Sequence, residues 1–567
     1  MAPFILLDDA RSGAKARLFQ SPVEIVRADR LDEVVPALDR LRGEARHVAG
    51  FIAYEAGCAL EPRLEPIFRQ PPTPLLWFGL FDGYQEVGAA AWLPDPAGAF
   101  AGAPRPQIGF DTYRERMARV QDAIVAGDIY QANLTFPARV PVTGDPRALF
   151  AGLRRRGQAS YGALVWTGED WFLSLSPELF FTLDGDRLTA KPMKGTASPD
   201  ADPEALRTDP KQRAENLMIV DLLRNDLSRV AQPGSVDVPS LFAVERYPTV
   251  QQMVSTVTAG LAPGRDVVDV LRALFPCGSI TGAPKVRAME IIARVEDAPR
   301  GLYTGAIGHI NPDGQAAFNV AIRTLHLKPG DDHATLGLGS GIVADSEPAA
   351  EWRECVAKGA FVRSERPFDL IETMGFDPHD GLLRLDAHLA RMKASAEAFG
   401  FHFDRHAARN ELQAATFRLR ERSRVRLLAS QSGNYAIEVR ALETPEEPVE
   451  VAIVPLPVGH DDVRLRHKTT DRRFYDEARR SSGCFEVLFA GADGFLTEGS
   501  FTSVFVERDG VLLTPRLAHG LLPGVLRAEL IAEGRAIEAD LRPVDLGQEF
   551  LVGNAARGLL RARLRTL

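Results

Sequence analysis

A lysine and a glutamate stand near each other in SLSPELFFTLDGDRLTAKPMKGT, residues 174–196. The stretch predicts two strands around an Asp184-Gly185 turn, which sets Glu178 opposite Lys191 and leaves Lys194 about 10 Å further along. Pro177 and Pro192 cannot donate to the ladder, so both open ends are expected to bulge or leave the sheet, where Glu178 and Lys194 converge. Whether the two share a face turns on a single residue of register. A desolvated lysine beside a carboxylate on a rigid strand end is a nucleophile. An exposed lysine on an edge strand fits the same letters.

Further carboxylates suggest a cation. AENLMIVDLLRNDLSRV (214–230) predicts a buried helix opened by Glu215. SEPAAEWRECVAKG (346–359) predicts a helix capped by Ser346, with Glu351 and Glu354 on one face. Oxygen ligands from two helices, with room for water and an anionic substrate, suit magnesium; the helix dipole alone also favours glutamates near helix N-termini. FPCGSITGAPKVRAMEII (275–292) runs from a glycine-bearing turn into a helix, and LGLGSGIVAD (336–345) reads as a second glycine-rich turn. Arg323 points out of the apolar strand FNVAIRTLHL. Two nests of amides and a guanidinium are what a dicarboxylate needs, although each is also an ordinary turn.

The last 200 residues carry a different set. Lys468 precedes a helix in LRHKTTDRRFYDEARR (465–480), and Glu498 lies in a tight turn of DGFLTEGSFTSVFVERDGVLLTP (493–515). HGLLPGVLRAELI (519–531) enters a helix with free amides at Val525 and Leu526, and DAHLARMKASAEAFGF (386–401) is an amphipathic helix bearing Arg391. A lysine, a buried carboxylate, a phosphate cradle and a basic clamp are the parts of a pyridoxal phosphate site. Taken singly, each has an ordinary structural reading.

Positioning these groups takes more than one core. The 567 residues exceed the roughly 250–300 at which single cores stop growing. The Pro- and Gly-rich stretch 93–106 reads as an exposed connection, strands and helices do not alternate between Phe110 and Ala360, and a strand-rich pattern restarts near 364. The expected class is α+β, with domains 1–362 and 363–567. At 45% hydrophobic and 25% charged residues, the composition is that of a globular protein. The net charge of −9 argues against nucleic acid as a partner. No apolar stretch approaches the ~20 residues of a membrane helix, and the first residues do not read as a secretory signal. Cys58, Cys277, Cys355 and Cys484 are too widely spaced for a disulfide framework or a zinc site, which fits a reduced, cytoplasmic setting.

In order along the chain, SPELF, KPMKGT, ENLMIVDLLRND, GSITGAPKVRAMEII, GLYTGAIGHI, AIRT and GSGIVADSEPAAEWRE resemble the motifs of chorismate-utilising enzymes, over about residues 1–360. The lysine in P-M-K-G-T makes the likeness closest to aminodeoxychorismate synthase component I, because anthranilate synthases carry alanine there. The resemblance implies an antiparallel β-sandwich with outer helices. It makes Lys194 the nucleophile at C2 of chorismate, Glu178 the acid–base residue, and Glu215, Glu351 and Glu354 the carboxylates around Mg²⁺. It assigns the substrate's carboxylates to Thr281, Tyr303, Arg323 and the backbone at Gly339, Ser340 and Gly341. Gln252 stands where many relatives have histidine, and Cys277 where a glycine is common.

Residues 366–567 resemble the fold-type IV pyridoxal phosphate enzymes through HLARMKASAEAFGF, HKTTDRRFYDEAR, TEGSFTSVF and GLLPGVLR. That group includes aminodeoxychorismate lyases and the branched-chain and D-amino-acid aminotransferases. The likeness implies a two-subdomain fold in which Lys468 carries pyridoxal 5'-phosphate and Glu498 meets its pyridinium nitrogen. Arg391 and the amides of Val525 and Leu526 would hold the phosphate, Thr373 would lie near the reacting proton, and Arg557 would meet a substrate carboxylate. Together the halves imply amination of chorismate to 4-amino-4-deoxychorismate, then elimination to p-aminobenzoate, a folate precursor, and pyruvate. Ammonia would come from a separate glutamine amidotransferase, and a homodimer would form through the second domain. The alternatives are an anthranilate-type synthase joined to an aminotransferase, which Lys194 speaks against, and a non-catalytic sensor of chorismate or tryptophan.

Overall fold

The computed structural model describes every residue except 11–14, 199, 247–250, 365–367 and 566–567, and no side chain at 196 or 197. The chain forms two compact units. The first comprises Met1–Pro94, Ala103–Val140 and Phe150–Arg363; the second comprises Asp95–Gly102, Pro141–Leu149 and Ser364–Leu567.

Among the described residues, the first unit is built on two antiparallel sheets of ten strands each, the first of which is extended by the strand Ala99–Ala101 of the second unit. Ile5, Phe19, Val165 and Phe172 of the one meet Phe51, Trp77 and Ile307 of the other in a buried layer. The ten-stranded sheet is covered on its other face too. Phe78, Phe180 and Phe318 pack there against helix residues Leu38, Ile219, Leu223 and Leu271. Burial on both faces is why the strand Leu76–Phe81 (LWFGLF) is apolar throughout and shows no alternation.

The hairpin that leads to Lys194 differs in register from expectation. Its strands are Leu179–Asp184 and Arg187–Lys191, with Gly185-Asp186 as the turn. Asp184 pairs with Arg187, and a bulge then sets Leu179, not Glu178, opposite Lys191. Gly185 takes the left-handed φ of +61° that this turn requires, which moves it one residue on. After Pro192 the chain starts a new strand, Met193–Ala197, paired with Gln251–Gly260.

Other expectations also need correction. The helix with Glu215 begins at Pro210, capped by Asp209, so Glu215 lies in its second turn and does not open it. The helix with Glu351 and Glu354, Pro348–Lys358, has Glu347 at its cap; the Ser346 hydroxyl accepts from the Val343 amide and donates to Glu351 instead. LGLGSGI is not a turn but part of the strand His333–Ile342. Arg323 sits at φ +52° in the break between strands Ala316–Val320 and Thr324–Leu327, not on a strand. The stretch 93–106 is not simply an exposed connection: Ala99–Ala101 and Arg105–Pro106 are short strands, and Phe100 is 4% exposed. Proline and glycine mark its bends, but the aromatic between them decides its burial.

The second unit pairs a four-stranded antiparallel sheet with an eight-stranded mixed one. The first carries the helix Leu385–Phe399, whose Leu389, Met392 and Phe399 join Phe100, Leu370, Met374 and Val425 in one core. In the second sheet, Val449–Pro455 runs parallel to both Glu486–Ala490 and Gly558–Leu564. Among the described residues no helix is long and apolar enough to cross a membrane.

Candidate active sites

Lys194 is half-buried and its amine lies against the bare backbone of Gly341. A Cβ on Gly341 would stand 2.9 Å from Lys194 Nζ and 2.8 Å from Gln131 Nε2, so these two side chains fill the space a side chain there would take. The lysine's own carbonyl accepts from Asn216 Nδ2 at 3.3 Å, and Asn216 is fixed by Ser255 Oγ at 2.6 Å. Gly195 follows at φ +94°, a conformation that explains glycine after the lysine.

The charges around the amine set its chemistry. Burial lowers the pKa of Lys194, and Lys358 lowers it further, while Glu215, Glu178 and Glu354 act the other way. Glu178 is buried and accepts from Ser279 Oγ at 2.5 Å. Its burial pushes its pKa up to about 7 against the opposing pull of Ser279, Lys194 and Lys358. Burial also raises Glu215, against Lys194 and Lys211. Burial works against ionisation of Glu354 too, but Lys358 at 2.7 Å, with Lys194, holds it below its ordinary value. An amine shifted towards its uncharged form, in electrostatic reach of a carboxyl that keeps its proton near neutrality, is suited to attack an electrophile while a leaving oxygen is protonated.

The expected magnesium carboxylates stand apart. Among the described residues no three histidine, cysteine, aspartate or glutamate side chains gather as a metal site. Glu354 is engaged by Lys358 and Glu351 by Ser346 at 2.8 Å. Their oxygens are the donors magnesium prefers, and the shell would need oxygens of substrate and water to complete it.

The expected substrate residues are less concentrated. Thr281 is buried and donates to the Cys277 carbonyl at 2.8 Å. The Ser340 hydroxyl is buried and lies 3.2 Å from that of Tyr113. Tyr303 packs its ring on Gly337, where a Cβ would come within 2.1 Å, and Gly339 is crowded in the same way by Thr135. Tyr303 also lines a separate cavity of about 320 Å³ with Arg300, Thr135 and His326. Arg323 gives its carbonyl to the Leu175 amide at 3.1 Å.

Four groups at this site escaped the sequence reading. Lys358 was legible as the residue four beyond Glu354 on one helix. Ser279 lies inside the quoted GSITG. Asn216 and Gln131 carried no signal. Both polar atoms of the Gln131 side chain are buried without a partner among the described residues, a state that a bound molecule or water would relieve.

The second unit gathers its expected residues more completely. Thr373, Arg391, Lys468, Glu498, Val525, Leu526 and Arg557 all line one cavity of about 380 Å³. The Lys468 carbonyl accepts from the Ile371 amide at 3.0 Å, which docks HKTT on the strand Leu370–Asp377. Burial, reinforced by Arg391, brings the Lys468 amine down to about 7 against the pull of Glu372. Glu372, unremarked in the sequence, is the hub beneath it. It accepts from His388 Nδ1 at 2.6 Å and from Arg391 Nε at 2.8 Å and Nη2 at 2.7 Å. These partners hold it well below the usual carboxylate range although burial opposes them. Arg391 also donates to the Pro523 carbonyl at 2.9 Å, just before the helix Val525–Ala532. At Gly524, which caps that helix, a Cβ would meet Ser503 Oγ at 2.8 Å, so this unexpected hydroxyl sits at the helix entrance. Glu498 is buried and raised to about 7. A lysine free to lose its proton, helix amides with an arginine beside them, and a carboxyl across the same cavity fit pyridoxal phosphate.

Comparison with known proteins finds a family match for each of the two stretches. Residues 11–364 match the family model of chorismate binding enzymes, and residues 369–564 that of class IV aminotransferases. Aminodeoxychorismate synthase component 1 of Klebsiella aerogenes is 45% identical over 261 residues, which is 45% of this chain and 57% of that protein. Anthranilate synthase component 1 of Streptomyces coelicolor is 38% identical over 314 residues, 54% of this chain and 59% of that protein. The solved anthranilate synthase component I of Streptococcus pneumoniae is 26% identical with a TM-score of 0.53, covering 64% of this chain and 92% of that one. The chain thus spans under two thirds of the curated relatives it matches. By the match over residues 11–364, the chain belongs to the chorismate binding enzyme family, and a class IV aminotransferase domain follows in the same polypeptide.

Proposed function

We propose that the first unit aminates chorismate at C4 and that the second removes pyruvate from the product, leaving p-aminobenzoate. The observation that carries this reading is Lys194, an amine with a lowered pKa in electrostatic reach of the proton-holding Glu178. Lys194 attacks C2, the ring double bonds shift, and the 4-hydroxyl leaves as water with the proton of Glu178. Ammonia then adds at C4, the double bonds shift back, and Lys194 departs from C2 as a free amine. Glu178 recovers its proton from the new ammonium group, so the step closes as chorismate plus ammonia giving 4-amino-4-deoxychorismate plus water. Arg323, Tyr303, Thr281 and the amides of Gly339, Ser340 and Gly341 hold the substrate's carboxylates. Glu215, Glu351 and Glu354 would hold magnesium with them. Ammonia comes from a separate glutamine amidotransferase, the kind of partner that the component 1 names of the relatives suggest.

In the second unit, bound pyridoxal phosphate would supply an electron sink at the carbon bearing the substrate's amine. Arg391 and the amides of Val525 and Leu526 would hold its phosphate, Glu498 its ring nitrogen, and Arg557 a substrate carboxylate. Lys468 removes the proton from the amine-bearing carbon, with Thr373 beside its path. The enolpyruvyl oxygen leaves C3, the departing enol takes up a proton as pyruvate, and the ring is left aromatic.

Purified protein given chorismate, an ammonium salt, Mg²⁺ and pyridoxal phosphate, with products resolved by mass, tests both steps. p-Aminobenzoate with equimolar pyruvate is expected. Accumulated aminodeoxychorismate would overturn the lyase step alone, and anthranilate would overturn the role given to Lys194.

A further inference from the structure

The buried hydroxyl of Tyr475 has no part in the reactions above. Tyr475 lies on the helix Arg473–Ser482, 5% exposed, stacked on Phe474 with 4.1 Å between ring centroids and edge-on to Phe489 at 5.5 Å. From there its hydroxyl donates to Glu498 Oε1 at 2.6 Å.

The surroundings make this contact directional. The Leu522 amide is the other donor to Glu498, and Arg472, 5.3 Å over the Tyr475 ring, is the facing cation. The neighbouring carboxyl, Glu486, is fully engaged elsewhere. It accepts from the amides of Val487, Ser500 and Phe501 and from the hydroxyls of Ser500 and Thr502, so it grips the turn after Glu498 and acts on that carboxyl only through its charge, which opposes ionisation. Burial keeps the Tyr475 phenol from ionising, so it stays a donor. A buried carboxyl drifts towards its neutral form unless donors favour the anion, and only the anion can accept an N–H from a cationic ring.

We propose that Tyr475 is a positioning residue for the ring nitrogen of the cofactor: its hydroxyl ties down Glu498 Oε1, keeps that carboxyl an acceptor, and leaves the second oxygen turned to the ring N–H. The proposal rests on the reading of Glu498 as the partner of pyridoxal phosphate.

The test uses the whole chain reconstituted with pyridoxal phosphate carrying ¹⁵N in the ring, whose resonance reports protonation of that nitrogen without any turnover. Tyr475→Phe keeps the ring stack and removes one oxygen. Its ¹⁵N resonance should move part of the way from the pyridinium position towards neutral pyridine, and Glu498→Gln should move it further. The cofactor-free Tyr475→Phe protein should melt within a few degrees of the parent, as loss of one hydrogen bond implies. A resonance that moves in Glu498→Gln and stays put in Tyr475→Phe overturns the proposal and spares the cofactor reading. Resonances unmoved in both variants overturn the two together. Should Tyr475→Phe not fold, 3-fluorotyrosine in place of Tyr475, a stronger donor, should shift the resonance towards pyridinium, and no shift would overturn the proposal.

Discussion

At the scale of single residues, the catalytic reading of the first unit depends on burial more than on motif. Glu178 carries its proton to about pH 7 only because the fold encloses it. If it protonates the leaving hydroxyl, amination measured per free ammonia should fall as pH rises through about 7, by roughly tenfold per unit well above it. Glu178→Gln should be slow at every pH. The same group affects stability with a definite sign. Glu55, Glu178 and Glu498 are each raised by burial from 4.5 to about 7, so between these values the folded chain holds more protons than the unfolded one. Their contribution to stability therefore declines as pH rises across that window. Denaturant titrations at pH 5 and pH 7 should show a smaller decline in Glu178→Gln than in the parent.

At the scale of elements, the strand His333–Ile342 does the placing. Gly337, Gly339 and Gly341 alternate along it, so all three bare positions share one face. The nearest neighbours of a Cβ at Gly341 are the far ends of two flexible side chains, not backbone. Gly341→Ala should therefore fold, with a melting temperature near that of the parent, yet push Lys194 aside and reduce amination at least tenfold. Lys194→Ala should abolish it, and both variants should still process added aminodeoxychorismate. This strand also shows where sequence reading stops. Three glycines in seven residues look like a turn, and only side chains distant in sequence explain why a strand needs them: Tyr303 at Gly337, Thr135 at Gly339, and Gln131 with Lys194 at Gly341. The hairpin before Lys194 was legible in kind and missed in register, because a bulge leaves no letter of its own. Lys468, Glu498 and Arg391 were legible because each lies in a compact local pattern. Gln131 and Glu372 were not: Gln131 draws its meaning from Lys194 and Gly341, far along the chain, and Glu372 from a strand that the fold lays against the helix bearing His388 and Arg391.

At the scale of the whole molecule, the two reactions are separate in their residues: every group assigned to amination belongs to the first unit and every group assigned to elimination to the second. Lys468→Ala should let aminodeoxychorismate accumulate at the parent rate of chorismate consumption, as mass-resolved product analysis would show. Phe100 stands between two segments of the first unit in sequence and inside the core of the second in space, against Phe399 at 5.0 Å. Phe100→Ala should cost the second unit about 3–5 kcal/mol and weaken lyase turnover on heating before it touches the synthase. Asp95, in the same segment, pairs with Arg464 at 3.1 Å. A polypeptide begun at Ser364 would thus lack both an aromatic from its interior and the partner of an arginine. The second unit cannot be released intact by one cut, and a gene split at that boundary would have to duplicate a piece of its upstream neighbour for the downstream product to keep them.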